Sequence, residues 1–565
     1  MIQRLAFSIG CVLIVCPIIA QAAERLDRGL VALCTSDKNV YLGWRVLSSD
    51  PADVAFHVYR NMADSESARC LTKEPLRDKT NFIDDAAPHI SKVSYFVRAV
   101  INGQEVQPSK AIAVSDTPEG MSFIRIKLNG NYDAQMAALG DLDGDGRLDY
   151  VIKQPDSNID PWQKAGVWRK SPGTYKIEAY GHDGKFLWRY DMGWAIEQGI
   201  WYSPYIVYDL DGDGRAEVYA KAGEGDPRDP DGKVTTGAEW VVKLDGMSGK
   251  ILKKVPWPDR SGYAKYNWAS RNLMAVAYLD GKQPYLIVQR GTYGQIKVDA
   301  YDSQLNRYWR WNSHQEKQRY HGSGMHGLHV ADVDGDGRDE IILGSAVLDD
   351  NGRGVWTNPM HHKIMAHPDV CYVGDINPNR TGLEIFYGFE TAQPRDAVCL
   401  MDAGTGKILW GFDGPTRHVH AQGMVADIIA SYPGQECYAG EQDGSQYWLY
   451  AADGRLINKE KINGLSPRPV FWDADPQKEL ILSGQIADYK GKIHGRIEGS
   501  LCTIADCLGD WREEIITSLP GELRIYTTTI PARTKRVCLM QDRLYRLDVA
   551  VASMGYYYPP QLSPR

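Results

Sequence analysis

Beyond its first two dozen residues, this 565-residue chain has no apolar run long enough to cross a bilayer. It also lacks an excess of positive charge. Its net charge of −8 argues against a nucleic-acid partner, which would call for a basic footprint. Phenylalanine is scarce: ten residues, against 32 tyrosines and 16 tryptophans. Aromatics with a polar edge suit strand packing, which accounts for most of them, and sugar-binding surfaces equally. Cysteine is sparse and no C-x-x-C pair occurs, which excludes the common zinc-ribbon spacing. Cys34, Cys70, Cys371, Cys399, Cys437, Cys502, Cys507 and Cys538 lie outside the leader, and buried thiols with at most one or two bridges are expected.

Residues 1–23 combine Arg4, an apolar stretch from Leu5 to Ala20 and a small-residue site at Ala20-Gln21-Ala22. That pattern predicts a secretory signal peptide, and hence a secreted or periplasmic protein. Residues 24–118 carry period-2 runs such as Val40–Val46, Val54–Tyr59 and Val93–Val100, separated by turn formers. They predict a small antiparallel β-sandwich of fibronectin type III-like form, with Trp44, Tyr59 and Tyr95 in its core.

From 119 to 565 the chain repeats. Gly140-Asp-Leu-Asp-Gly-Asp-Gly-Arg-Leu-Asp149, Tyr208-Asp-Leu-Asp-Gly-Asp-Gly-Arg-Ala-Glu217 and Ala331-Asp-Val-Asp-Gly-Asp-Gly-Arg-Asp-Glu340 each run directly into an apolar strand. Weaker copies of this loop-and-strand unit start at Asp280, Asp375, Asp427, Asp473 and Asp506. A spacing of roughly 50 residues matches one four-stranded blade. The fold class expected is therefore all-β, an eight-bladed β-propeller preceded by the small sandwich.

The three strong loops place carboxylates on alternate residues around a turn glycine. The sets are Asp141, Asp143, Asp145 and Asp149; Asp209, Asp211, Asp213 and Glu217; and Asp332, Asp334, Asp336 and Glu340. Hard oxygen donors in this spacing suit Ca²⁺, so several structural calcium ions are expected. Binding there would stabilise the blades and need take no part in catalysis.

With those residues in view, the chain resembles the rhamnogalacturonan lyases of polysaccharide lyase family 11 over nearly its whole length. The likeness is carried by Leu26-Asp-Arg-Gly-Leu-Val31, Val207–Gly214, Val330–Gly337 continuing to Gly344–Gly352, Gly509-Asp-Trp-Arg-Glu-Glu514 and Leu523–Pro531. The resemblance implies a calcium-binding propeller that cuts the rhamnose–galacturonate backbone of pectin by β-elimination. The partner is then a polysaccharide containing uronic acid and rhamnose, and a monomer is expected. Such chemistry needs a cation to neutralise the uronate carboxylate and a base to take the proton from carbon 5. By resemblance, His326, His367, Asp369 and Glu390 match a family active-site ion cluster, in which imidazoles are unusual partners for calcium. Asp156 and Tyr556 match substrate-contacting positions. An insertion such as Trp356 to Met365, with His361 and His362, is legible only as length.

Three family elements are rewritten. Gly495-Arg-Ile-Glu498 stands where the family carries Asn-Gly-Thr-Lys, Gln422-Gly-Met424 replaces Arg-Gly-Met, and Gln135-Met136 replaces an Asn-Asp pair. His418, His420 or Arg496 is then the expected substitute base, histidine being suited to proton transfer near neutral pH. Two other readings stand beside the lyase. One is a non-catalytic carbohydrate-binding propeller; the other is a glycoside hydrolase using paired carboxylates such as Asp369 and Glu498.

Overall fold

The computed structural model describes residues 24–564 except 37–38, 64–66, 89, 116–120, 317–319 and 359–366. The expected signal peptide, and the stretch of the 356–365 insertion with His361 and His362, lie outside the described residues. No helix among the described residues is long and apolar enough to cross a membrane.

The first unit pairs a three-stranded sheet (Val31–Ser36, Asn39–Gly43, Asn81–Asp84) with a five-stranded one built on Ala55–Met62 and Val93–Ile101. Alternation along each strand sends Val40, Leu42, Phe56, Val58, Tyr95 and Val97 into the space between the sheets, where Trp44 is also buried. Tyr59 departs from expectation. It faces outward and stacks on Phe96 at 4.9 Å between ring centroids, because its neighbours Val58 and Arg60 take the inward positions.

The remainder forms eight four-stranded antiparallel sheets, so the chain is all-β as expected apart from short helices. Their first strands are Met136–Gly140, Tyr205–Tyr208, Asn272–Ala277, Gly324–Ala331, Pro368–Gly374, Met424–Ala426, Arg468–Val470 and Ser500–Ala505. First strands of successive sheets from the first to the seventh approach one another, and that of the last sheet lies beside that of the first. Position within a sheet explains composition. Asn272–Ala277 and Gly324–Ala331 are buried throughout, whereas the outermost strands Ile251–Pro256 and Arg307–Asn312 expose lysine and arginine, which blunt a free sheet edge. The last sheet takes its outer strand, Phe123–Lys127, from the start of the repeat region, which pairs with Glu522–Tyr526.

Two sequence features turn out to be staples. The acid that ends most of these loops, Asp149, Glu340, Glu384, Glu436, Glu479 and Glu514, accepts backbone N–H groups from its loop. The Glu436 carboxylate takes those of Ile428 and Ile429 at 2.9 and 3.0 Å, and that of Glu514 those of Cys507 and Leu508 at 2.9 and 2.8 Å. This satisfies turn amides that would otherwise be buried without a partner, even where the Asp-x-Asp-x-Asp triad is missing. Tryptophans on outer strands latch neighbouring sheets together. Trp188, Trp309, Trp356 and Trp410 donate Nε1–H to the carbonyls of Gly246, Asp350, Ala403 and Ala452. The Trp356 ring lies over Gly406, whose φ is +67° and where an added Cβ would come within 2.6 Å of the indole. Gly406→Ala is therefore expected to cost about 1–3 kcal/mol, read as a lower urea midpoint.

A short helix, Arg543–Val551, begins with the Asp542 carboxylate accepting the Tyr545 amide. It packs against the first strands of the first four sheets, and it is buried nearly all round, including Arg546 and Asp548. An all-β reading did not foresee it, since the helix is only nine residues long and turns Arg546 and Asp548 inward. Beyond it the tail 555–561 runs back over the first strands. No disulfide joins the eight described cysteines, and Cys371, Cys399, Cys437, Cys502, Cys507 and Cys538 are buried.

The sandwich docks through Gly509–Glu514. Arg512 donates to the Tyr41 hydroxyl (2.6 Å) and to Asp510 (2.7 Å), and Gly509 N–H bonds the Gly29 carbonyl. The Gly-Asp-Trp-Arg string is thus part of a structural seam. A cavity of about 640 Å³ opens at this seam, lined by residues such as Arg45, Lys110, Asp145 and His182.

Candidate functional site

The strongest convergence of reactive groups lies elsewhere, where the first strands of the fourth, fifth and sixth sheets come together. His326 sits on Gly324–Ala331, His367 and Asp369 at the start of Pro368–Gly374, and Glu390 just past Glu384–Phe389. Glu390 N–H bonds the His367 carbonyl at 2.9 Å, which ties the two together. His418 and His420 precede Met424–Ala426. Their loop is held on the sixth sheet by the buried Glu441 carboxylate, which accepts the amides of Arg417 (2.8 Å) and His418 (2.6 Å).

The donor atoms of His326, His367, Asp369 and Glu390 lie within 4.8 Å of one another, and so do those of Asp369, His418 and His420. Asp369 Oδ1 is 3.6 Å from the Nε2 atoms of both His326 and His367, and Oδ2 is 2.6 Å from His420 Nδ1. Ala421, in the left-handed region at φ +62°, turns its amide to Asp369 Oδ2 at 3.1 Å. Such a conformation costs a non-glycine residue energy and often marks a functional site. Around the cluster stand Tyr293, whose hydroxyl is 2.8 Å from His326 Nε2, Trp201 at 4.7 Å from the His326 ring, and Tyr556 at 4.8 Å.

Burial, with His367 and Arg271 nearby, holds His326 well below the ordinary imidazole pKa, so it is neutral. Burial also opposes charge on Asp369, but the neighbouring His367 and His420 imidazoles outweigh this and keep the carboxyl well below its usual range. For His420, burial works against protonation, yet the Asp369 contact prevails and raises it. An ionised carboxylate set among imidazoles, with Asp369 Oδ1 buried and lacking a hydrogen-bond partner, is an arrangement suited to a cation.

The sequence-derived residues divide clearly. The four expected ion ligands converge, and His418 and His420, expected as bases, join the same cluster. Tyr556 packs against His326 and Trp201. Asp156 lies exposed on the loop after the second strand of the first sheet. Partial burial and the neighbouring Asp133 charge raise its carboxyl, and the same loop carries Asp160, which bonds Arg271 (2.8 Å) and Trp201 (3.2 Å). Arg496 is not in the cluster: it is exposed at the end of Ile493–Arg496, the outermost strand of the seventh sheet, the wrong end of the sheet order to reach the first strands. Glu498 is likewise exposed and paired with Arg524 at 2.5 Å, while Asp369 is fully buried, so the two form no hydrolase pair. Arg271, Trp201 and Tyr293 were not singled out from sequence, since an isolated arginine or aromatic in a strand-rich chain carries no local signal.

The acidic loops have the local geometry expected of them. Asp141 accepts the amides of Gly144 (2.8 Å) and Gly146 (2.7 Å), and Asp209 and Asp332 repeat this with Gly212 and Gly214 and with Gly335 and Gly337. Carboxylate atoms of Asp141, Asp143 and Asp149, and of Asp209, Asp211 and Asp213, lie within 4.8 Å of each other. Asp145 faces Lys110 of the sandwich at 3.3 Å. Glu217 is instead engaged by Lys243 at 2.7 Å, and that ammonium also reaches Asp211 at 3.2 Å. In the third loop burial, with the charges of Asp334, Asp332 and Asp336, pushes Glu340 up to about 9, and its Oε1 is buried without a partner. Clustered acids raised in this way are what a bound cation would relieve.

Comparison with known proteins agrees with this architecture. Residues 113–564 match the family model "Rhamnogalacturonan lyase family 11, C-terminal domain", and residues 21–115 match "Rhamnogalacturonan I lyases beta-sheet domain". The chain is 35% identical to the rhamnogalacturonan endolyase YesW of Bacillus subtilis, over 97% of this chain and 92% of that protein. It is 34% identical to the exolyase YesX of the same organism, over 96% and 94%. The crystal structure of YesW superposes with a TM-score of 0.86 at 33% identity over 96% of this chain and 97% of that one. A rhamnogalacturonan lyase of Bacillus licheniformis gives 0.83 at 32% identity over 96% and 97%. On these matches, the chain belongs to rhamnogalacturonan lyase family 11.

Proposed function

We propose that the protein is a secreted or periplasmic, monomeric lyase that cleaves rhamnogalacturonan-type pectic chains by β-elimination at the histidine and carboxylate cluster. The observation that carries this reading is the meeting of His326, His367, Asp369 and Glu390 in a chain of this family. In the same reading the eight sheets are the blades of a closed propeller, and the first unit is a fibronectin type III-like module.

A cation held by these residues would neutralise the uronate carboxylate and so acidify the proton on carbon 5. The side chains supply the rest. Asp369, His326 and His367 form the buried wall, while Tyr556, His418 and His420, all partly exposed, stand where a sugar chain can reach them. The proton acceptor comes from these open groups. Tyr556, partly exposed and backed by the buried Trp201, offers a ring face on which a pyranose can stack. The loss of arginine at Gln422 and of lysine at Glu498, relative to the family pattern, moves the positive and proton-accepting functions onto this cluster.

Elimination leaves an unsaturated uronate that absorbs in the near ultraviolet. Absorbance should grow when the protein meets rhamnogalacturonan and stop on chelation. New reducing ends without absorbance would mark a hydrolase, and binding without either would mark a carbohydrate-binding propeller. The acidic loops are proposed to hold structural Ca²⁺. Excess chelator is therefore expected to lower the melting temperature by several degrees, roughly in line with ligand linkage; an unchanged melting curve would refute structural calcium.

A further inference from the structure

The geometry points to a two-ion centre, in which His418 and His420 complete a second site, for a transition-metal cation of the zinc type, beside the site framed by His326 and His367. It rests on the cation-centred reading above, and it gives the open pair of imidazoles a ligand's role in place of a proton acceptor's.

Both carboxylates are divided between the two pairs of rings. Glu390 places Oε2 at 3.3 Å from His367 Nε2 and Oε1 at 3.3 Å from His418 Nε2. Asp369 places Oδ1 toward His326 and His367 and Oδ2 against His420. His326 and His367 thus share a two-nitrogen, two-oxygen set with both acids, whereas His418 and His420 gather with Asp369 as a two-nitrogen, one-oxygen set, at whose edge Glu390 Oε1 reaches His418. Within each pair the ring nitrogens face each other, at 3.3 Å for His326 and His367 and 3.2 Å for His418 and His420. Two neutral imidazoles can place only one proton in such a contact, whereas an ion between them takes both lone pairs.

The supporting contacts suit ligation. His367 donates Nδ1–H to the Gly324 carbonyl, which leaves the lone pair on Nε2 aimed inward, as an outer partner does for a metal-bound histidine. Asp369 Oδ1 is fully buried and has no hydrogen-bond partner. Among the described residues no lysine or arginine forms an ion pair with Asp369 or Glu390, so side-chain cations do not do the neutralising.

Donor chemistry separates this centre from the acidic loops. Calcium takes six to eight oxygens, roughly the kind of shell the Asp-rich loops offer. Here the imidazoles outnumber the carboxylates, and two nitrogens with a carboxylate oxygen, leaving a fourth position for water or substrate, fit zinc or cobalt in tetrahedral geometry. Carboxylate-bridged ions in such centres stand about 3.5–4 Å apart. The two sites also differ in access. The His326 and His367 side chains are 5% and 1% exposed, those of His418 and His420 33% and 28%, so the second ion is the one an incoming uronate carboxylate would meet.

The test is cobalt stoichiometry on the full protein. Metal-free protein, re-equilibrated with excess calcium to fill the oxygen-only loops, is titrated with Co²⁺ and followed by visible ligand-field absorption and by elemental analysis. His418→Ala/His420→Ala should bind one equivalent fewer than the unaltered protein and keep a tetrahedral cobalt band. Taking the difference cancels other histidine groups, such as His494 with Asp473, Glu479 and Asp488. Should the double variant not fold, each single variant is expected to weaken one binding step by at least about tenfold. Equal cobalt content and affinity in variant and unaltered protein overturn the proposal. The readout needs no substrate. Two equivalents without unsaturated product would keep the centre and refute the lyase reading, and product with cobalt binding indifferent to His418 and His420 would do the reverse.

Discussion

Asp369→Asn is expected to lower the rate of unsaturated-product formation from rhamnogalacturonan by roughly 10³-fold or more, about 4 kcal/mol of transition-state stabilisation. The substitution keeps the volume of the side chain and an oxygen for the Ala421 amide, but it removes the one charge shared by His326, His367 and His420. It also turns an NH₂ group toward ring nitrogens. Because Asp369 is fully buried, the loss cannot be made up by water. Thermal unfolding in calcium should change little, which separates a failed site from a failed fold. Asp156→Asn, whose side chain is exposed and lies off the cluster, should cost far less. If Asp369→Asn keeps its rate to within tenfold, the reactive centre has been misplaced.

The largest expected stability effect is at the other end of the chain. Arg546, on the buried helix, is fully enclosed. Its Nε bonds Glu24 Oε1 at 2.5 Å, and Nη2 reaches the carbonyls of Val207 (3.2 Å) and Leu139 (3.4 Å). Glu24→Ala leaves that guanidinium buried without a counter-charge, a defect that costs about 3–5 kcal/mol. Arg546→Ala should cost a comparable amount, because Glu24 is itself buried and loses its counter-charge. Glu24→Leu/Arg546→Met should recover most of the loss, since apolar groups of similar size need no counter-charge. The urea midpoint in calcium measures this. An unchanged midpoint for Glu24→Ala would mean that the contact contributes nothing.

How far each feature was legible depends on how local its physics is. The loop-and-strand unit could be read because a turn glycine, alternate carboxylates and an apolar run lie within a dozen residues of each other, and Glu436 and Glu514 show why the closing acid persists without the triad. Trp44 and Tyr95 were placed correctly by alternation. Tyr59 was not, because its side of the strand is set by the opposing sheet. The helix Arg543–Val551 went unread since its buried face carries Arg546 and Asp548, which make sense only against Glu24, His329 and Gln561.

By itself the sequence determined the all-β class, the repeating units, the acidic loops and, through family resemblance, four members of the central cluster. Tertiary structure decided what the cluster is. His418 and His420 read as substitute bases while they were only two histidines beside a rewritten motif. They became candidate ligands once the fold set them against both carboxylates. Arg496 and Glu498, as near to a rewritten motif in sequence, were removed because they follow the outer edge of their sheet. The reason is geometric. First strands of the fourth, fifth and sixth sheets approach one another while the outer strands lie at the far edge of each sheet, so residues far apart in the chain converge, and no local pattern records which of them will.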